Sequence, residues 1–289
     1  MIYYKFSRLN IFCIFLKLPS HGRDGKLKGY QFREEDEQAM DKDLPELGKS
    51  HHRPPWLKFV ADVFGLGYCT FSALDQGNEL LVALPDANEN ENVVVWSFPS
   101  GKQRSKQIRP PSSHKSGMVM SVALFKFHGQ LWLVIGYESG GIALFIEHKD
   151  MDSEWIETGI QVDHTQPVLS LAVSPNTDFV LSSSADSRII KYYFEFLDSK
   201  VEIKRQESKT RHNGQAAIAV RNDGIICGTA GWDGRIRVYS VQTLAELAVL
   251  KWHKTGCLCI AFGLKIREKG KNWIVGGSKD GKVSLWEVY

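Results

Sequence analysis

Residues 230–239 read Ala230-Gly231-Trp232-Asp233-Gly234-Arg235-Ile236-Arg237-Val238-Tyr239. From Arg235 to Tyr239, polar and apolar side chains alternate, which is the period of a strand with one buried face. Asp233-Gly234 supplies a residue that tolerates positive φ, as a tight hairpin turn needs. The stretch therefore predicts a turn feeding a strand of an antiparallel sheet.

Working outward, the pattern recurs. It stands at Asp24-Gly25-Lys26-Leu27-Lys28-Gly29-Tyr30, at Asp186-Ser187-Arg188-Ile189-Ile190-Lys191-Tyr192 and at Asp280-Gly281-Lys282-Val283-Ser284-Leu285-Trp286. Weaker copies run from Asn90 to Trp96 and from Ser139 to Phe145. Phe145, Tyr192, Tyr239 and Trp286 are spaced by 47 residues, and Trp96 precedes Phe145 by 49. Such a unit holds about four short strands with their turns. Around Asp233 they are expected at Ala216–Val220, Ile225–Thr229, Arg235–Tyr239 and Leu244–Leu250. One sheet of this size cannot bury both of its faces alone, so the units must stack around an axis. The expected fold class is all-β, a WD40-type β-propeller with six units represented.

The chain has 289 residues, 43% of them hydrophobic, enough for a substantial core and too many for a disordered chain. With 36 basic and 33 acidic residues, no overall field points to nucleic acid as a direct partner. Five Cys, an odd number, do not make a disulfide framework and fit a reducing compartment, cytosol or nucleus.

Residues 1–19 form an atypical N-terminal segment. Lys5 and Arg8 precede the run Leu9 to Leu16, but the run contains Asn10 and meets Lys17 and Pro19, with no small-residue cleavage site. It is also too short to cross a membrane. Buried strands at Ile2–Phe6 and Ile11–Leu16 are expected instead. The propeller is assigned to residues 20–289, with a charged loop at 33–55 between its first two units. That loop carries Glu34-Glu35-Asp36-Glu37 and His51-His52-Arg53 and is read as solvated. The last unit ends three residues after Trp286, without room for an outer strand. Propellers close by borrowing such a strand from the other end of the chain, so either this is a six-sheet form or its front is missing; the second reading is favoured and brings an unclosed edge with it.

Chemistry-bearing patterns are few. Cys257-x-Cys259, two thiols expected on the same face of an inner strand, lacks a second pair for zinc, and Cys69 and Cys227 sit at strand positions; all are read as buried apolar residues. There is no phosphate-binding Gly-x₄-Gly-Lys loop and no Gly-x-Ser-x-Gly elbow. The loop from Pro99 to Ser116 carries Lys102, Arg104, Lys106, Arg109 and Lys115, suited to an acidic partner but without interleaved aromatics for nucleic acid. Arg235 and Arg237 point opposite to Ile236 and Val238, as contact residues or as inter-sheet polar groups. No catalytic residue, metal site, cofactor or small-molecule substrate is expected.

In WD repeats, a His ahead of the inner strand bonds the Asp of the tight turn, and a Ser or Thr and an aromatic extend the network. That resemblance implies three structural sets here: His164 with Asp186, Ser182 and Tyr192; His212 with Asp233, Thr229 and Tyr239; and His253 with Asp280 and Trp286. Gly276 stands where the third set would have its hydroxyl, leaving that set incomplete. A Ser-His-Asp set also invites a catalytic reading, but a nucleophile is needed once and not in every sheet.

The run Gly231-Trp232-Asp233-Gly234-Arg235-Ile236-Arg237-Val238, the ending Gly276 to Trp286, Gly136-Tyr137-Glu138-Ser139-Gly140 and His21-Gly22-Arg23-Asp24 resemble the ASTRA-associated protein 1 family. Its vertebrate counterparts are named as guanine nucleotide-binding protein beta-subunit-like proteins. The resemblance spans about residues 20–289 and implies a seven-bladed propeller that begins ahead of Ser20. It further implies a nuclear, non-catalytic scaffold of the ASTRA assembly, linked to chromatin remodelling. With the Tel-Tti co-chaperone complex, such a scaffold serves the maturation of phosphatidylinositol-3-kinase-like kinases. The alternatives are a G-protein β-like signalling adaptor and a ubiquitin-ligase substrate receptor. Residues 1–19 lack the heptads the first would need, and the chain has no spare length for the recruiting domain of the second.

Overall fold

The computed structural model describes residues 15–21, 24–33, 56–63, 69, 71–148, 154–197, 200–263 and 272–288. Strands and turns account for them, with no helix among the described residues. The strands group into six antiparallel sheets in chain order. The first holds β1 (Phe15–His21), β2 (Lys26–Arg33) and β3 (Trp56–Asp62). The second holds β4 (Ser72–Asp75), β5 (Leu80–Pro85), β6 (Val93–Phe98) and β7 (Lys102–Gln103). The third runs β8 (Val119–Phe127), β9 (Gln130–Tyr137), β10 (Gly141–His148) and β11 (Glu154–Val162). The fourth runs β12 (Val168–Val173), β13 (Phe179–Ser184), β14 (Arg188–Leu197) and β15 (Lys200–Lys209). In the fifth are β16 (Gln215–Val220), β17 (Ile226–Gly231), β18 (Arg235–Ser240) and β19 (Glu246–Lys251). The sixth has β20 (Cys257–Phe262), β21 (Asn272–Ser278) and β22 (Val283–Val288).

Each sheet is a meander of neighbouring hairpins, and its alternation decides which neighbour it meets. Leu80, Val82 and Leu84 of β5 pack with Leu27 and Val63 toward the first sheet. Leu81 and Ala83 point the other way, to Leu133, Ile135 and Phe145 of the third. Val134, Ile142 and Leu144 then meet Val180, Ile190 and Tyr192 of the fourth. Leu181 and Ile189 meet Ile218, Cys227 and Tyr239. Ile226, Ala230 and Ile236 meet Cys257 and Ile274. Five apolar layers thus weld six sheets face to face, each fully buried Leu, Ile or Val contributing about 1.5–3 kcal/mol. This is a WD40-type β-propeller.

Several sequence expectations shift. Among the described residues β1 reaches back to Phe15, inside the segment set apart as 1–19, and pairs with β2 (Leu18 opposite Tyr30, Ser20 opposite Lys28). Of the strand expected at Ile11–Leu16, Phe15 and Leu16 belong to β1, while 11–14, like the strand expected at Ile2–Phe6, lie outside the described residues. β2 runs through Arg33, while 34–55 lie outside the described residues. Around Asp233 the observed strands sit within a residue or two of those expected. Cys257 and Cys259 do not share a simple alternating face: a bulge lies between them, so they oppose the adjacent residues Ser278 and Gly277. Among the described residues, β22 has no strand on its outer side, and Val283 and Leu285 are exposed.

Candidate functional site

At one end of the third to sixth sheets, the turn between the second and third strands meets the loop that enters the inner strand of the same sheet. The anticipated polar sets lie here. In the fifth sheet the turn is closed by Gly234 at φ 78°, where any Cβ would also press on the Thr255 carbonyl. Asp233 Oδ1 accepts the Arg235 N–H at 3.2 Å, and Asp280 Oδ1 accepts the Lys282 N–H at 3.0 Å. Short polar side chains bond their own backbone two residues on, which makes Asp the natural turn residue.

The first set is brought together. His164 Nδ1 lies 3.1 Å from both Asp186 oxygens, and its Nε2 lies 2.7 Å from Ser182 Oγ. Thr165 adds its N–H to Asp186 at 3.0 Å, a partner the sequence did not single out. Burial opposes the Asp186 charge, but hydrogen bonds from His164, Thr165 and Arg188 outweigh it and hold the carboxyl below its ordinary value. Tyr192 packs in the same core, and burial raises its phenol well above the usual range. Its hydroxyl lies beside Ser182, the same hydroxyl that His164 reaches.

The second set is not brought together as expected. Arg237, not His212, takes Asp233: Nη2 to Oδ2 is 2.6 Å and Nη1 to Oδ1 is 3.1 Å. Arg237 also reaches Glu246 at 3.5 Å. His212 Nε2 has no hydrogen-bond partner among the described residues, while the Tyr239 hydroxyl keeps Thr229 beside it. The reason is competition: a permanently charged, planar fork four residues along the same hairpin outbids a neutral imidazole for a carboxylate. Burial, with the Arg237 charge behind it, holds His212 below the ordinary imidazole value. Of the two arginines, Arg237 (side chain 5% exposed) is a buried polar group whose partners Asp233 and Glu246 belong to its own sheet rather than to a neighbouring one, whereas Arg235 faces solvent.

In the third set, His253 Nδ1 lies 3.2 Å from Asp280 Oδ2. Its Nε2 lies 2.8 Å from Ser284 Oγ. The hydroxyl missing at Gly276 is thus supplied from the facing third strand, since Ser284 is the cross-strand partner of Gly276. An alternating strand with one Ser pointing inward was the signal in the sequence. Trp286 packs in the core beside Ile274, and its Nε1 has no partner among the described residues.

Ser182, His164 and Asp186 have the connectivity of a nucleophilic triad, yet the Ser182 hydroxyl is sealed in the sheet and the His164 side chain is fully buried. No substrate carbonyl can come within reach of that oxygen, so the arrangement serves to satisfy buried polar groups. Cys227 is buried and its thiol is pushed up to about 12, and Cys257 to about 11, both by burial. These thiols are protonated and inert at neutral pH. No group of three or more His, Cys, Asp or Glu side chains among the described residues could hold a metal. Arg104 of the basic loop is tied to the buried Glu147 at 3.1 Å rather than offered to solvent.

The same end of the sheets carries an open cleft of about 660 Å³ lined by Glu91, Pro110, His114, Lys115, Glu138 and Ser139. His114 Nε2 and Ser139 Oγ are 3.1 Å apart within it.

Residues 157–192, from β11 through Tyr192, match the family described as WD domain, G-beta repeat. Over 94% of this chain, the sequence is 32% identical to ASTRA-associated protein 1 of Pyricularia oryzae and covers 84% of that protein. The chain belongs to the ASTRA-associated protein 1 family. Within that family, ASTRA-associated protein 1 of Schizosaccharomyces pombe is 37% identical over 78% of this chain and 66% of its own length. Guanine nucleotide-binding protein subunit beta-like protein 1 of Mus musculus is 29% identical over 78% of this chain and 65% of its own.

Proposed function

We propose that this chain is a non-catalytic WD-repeat scaffold of the ASTRA assembly, acting in the nucleus in chromatin remodelling. On the same reading it works with the Tel-Tti co-chaperone complex in the maturation of phosphatidylinositol-3-kinase-like kinases, binding protein subunits and not nucleic acid directly. The observation that carries the proposal is the kinship along almost the whole chain with proteins named for their association with ASTRA. A stack of six rigid sheets whose loops gather at its ends supports a docking role, because several partners can be held at once on surfaces that do not deform. The sealed hydroxyl of Ser182 supports the non-catalytic part of the reading.

Affinity purification of the tagged full chain from nuclear extract, with nuclease treatment, tests it. ASTRA and Tel-Tti subunits are expected to co-purify and to survive the nuclease. Recovery of neither set, or loss of both on nuclease digestion, would sink the reading.

A further inference from the structure

Glu138, Ala185, Trp232 and Lys279 stand 47 residues apart, each immediately before the turn residue of its sheet. Each donates its N–H to the loop entering its own sheet, as Glu138 does to Met118, Trp232 to Gly214 (2.8 Å) and Lys279 to Gly256 (3.0 Å). They therefore form one row across one end of the molecule. The row changes character along its length, from acid at the third sheet to an indole at the fifth and a cation at the sixth.

Around Trp232 the surface is unusual. Trp232 is 49% exposed and Trp252, on the loop between the fifth and sixth sheets, is 52% exposed. Both are braced by neighbouring groups. The Trp232 ring lies flat on Gly214, where an added Cβ would collide with it, and its backbone touches Gly256 of the Trp252 loop. Trp252 meets the His253 ring edge-on at 4.9 Å, and Lys282 Nζ lies 5.5 Å from its ring centroid. Exposed tryptophans braced in this way lose little conformational freedom on binding and are the residue type most enriched among energetic anchors of interfaces.

Charge decides what they would anchor. Lys254, Lys279, Lys282 and Arg235 are exposed around the two indoles. The two carboxylates in the patch are already engaged, Asp233 by Arg237 and Asp280 by His253 and the backbone of its own turn. Lys254, Lys279 and Lys282 have no carboxylate partner among the described residues. At the other end of the row, Glu91 and Glu138 are exposed and line the open cleft. A long polyanion laid along this end would run from the cations into those acids; a short acidic segment would not.

We infer that the patch of Trp232, Trp252, Lys254, Lys279, Lys282 and Arg235 is a docking site for a short acidic protein segment that carries an apolar side chain. The apolar group sits against the indoles and the flanking carboxylates meet the cations. The inference does not depend on which assembly the chain joins, because it concerns binding by the isolated chain.

The test is selection from a random library of roughly 12-residue peptides on the intact chain. Sequences rich in Asp and Glu around Leu, Phe or Trp are expected to be enriched. Their binding, followed by fluorescence polarisation, is expected to weaken about tenfold or more in the double variant Trp232→Ala with Trp252→Ala. A second variant, Lys254→Glu with Lys282→Glu, leaves both indoles in place and is expected to lose binding to a similar extent while its thermal unfolding stays unchanged. A library that enriches nothing, a neutral or basic consensus, or binding kept within about twofold in either variant would overturn the site. So would displacement of the peptide by single-stranded oligothymidylate at equal concentration, which would mark a nucleic-acid surface.

Discussion

Arg237 Nη2 lies 2.6 Å from Asp233 Oδ2, and this pair holds the turn carboxylate that His164 and His253 hold in their own sheets. One substitution at a third-strand position is enough to rewire a repeated network, because the carboxylate is fixed by its turn and takes the stronger donor within reach. A double-mutant cycle separates the pairs. Asp233→Asn combined with Arg237→Met is expected to show a coupling of about 1–3 kcal/mol in urea unfolding. Asp233→Asn combined with His212→Asn is expected to stay within about 0.5 kcal/mol of additivity.

The third set makes a prediction against intuition. Gly276 lacks a hydroxyl, so a serine there looks like a repair. An added Cβ would, however, strike Ile236 Cδ1 across the interface with the fifth sheet. Gly276→Ser is expected to destabilise by about 1–3 kcal/mol through overpacking. Ser284→Ala is expected to cost about 1–2 kcal/mol, because His253 Nε2 loses its partner. Equilibrium denaturation of the two variants checks both values, and a stabilised Gly276→Ser protein would refute the packing argument.

His212 gives the molecule a pH dependence of definite sign. Its folded value lies below the ordinary one, chiefly through burial and then through the Arg237 charge. As pH falls through the ordinary imidazole value near about 6.5, the unfolded chain takes up a proton that the folded chain refuses. Stability from this group is therefore whole above that value and is lost below it. Burial lowers His21 in the same direction, against Asp24. The melting temperature is expected to fall between about pH 7.5 and 5.5, and His212→Asn is expected to flatten the slope. An unchanged slope in the variant would count against the assignment.

Lys191 is 6% exposed, with Nζ 4.2 Å from the Phe179 ring centroid and 4.5 Å from that of Tyr193. It donates to the Val241 carbonyl of the next sheet at 3.2 Å. Attraction to the rings and the carbonyl is offset by the loss of hydration, so Lys191→Met, which keeps the volume, is expected to change stability by less than about 1 kcal/mol. Lys191→Ala is expected to cost about 2–4 kcal/mol by opening a cavity between the fourth and fifth sheets. Chemical denaturation of the pair distinguishes a packing role from an electrostatic one.

The repeat, the strands around Asp233 and the Asp-centred turns were all legible in the chain, because strand alternation and turn chemistry are local and each acts within a few residues. The His164 set was legible too, since His, Ser and Asp recur at family spacing. Its Thr165 bond was not, because a backbone N–H carries no sequence signature.

Local order along the chain determined that this protein is built from antiparallel units of one repeating kind. Tertiary packing alone decided that Arg237 claims Asp233, that Ile236 fills the space beside Gly276 and that Ser284 completes the His253 set. It also decided that Trp232 and Trp252, twenty residues apart in the chain, flank one loop among lysines that have no carboxylate partner among the described residues. Each of these depends on which side chains from separate strands reach the same volume first. That is a competition between neighbours in space, which spacing along a chain does not encode.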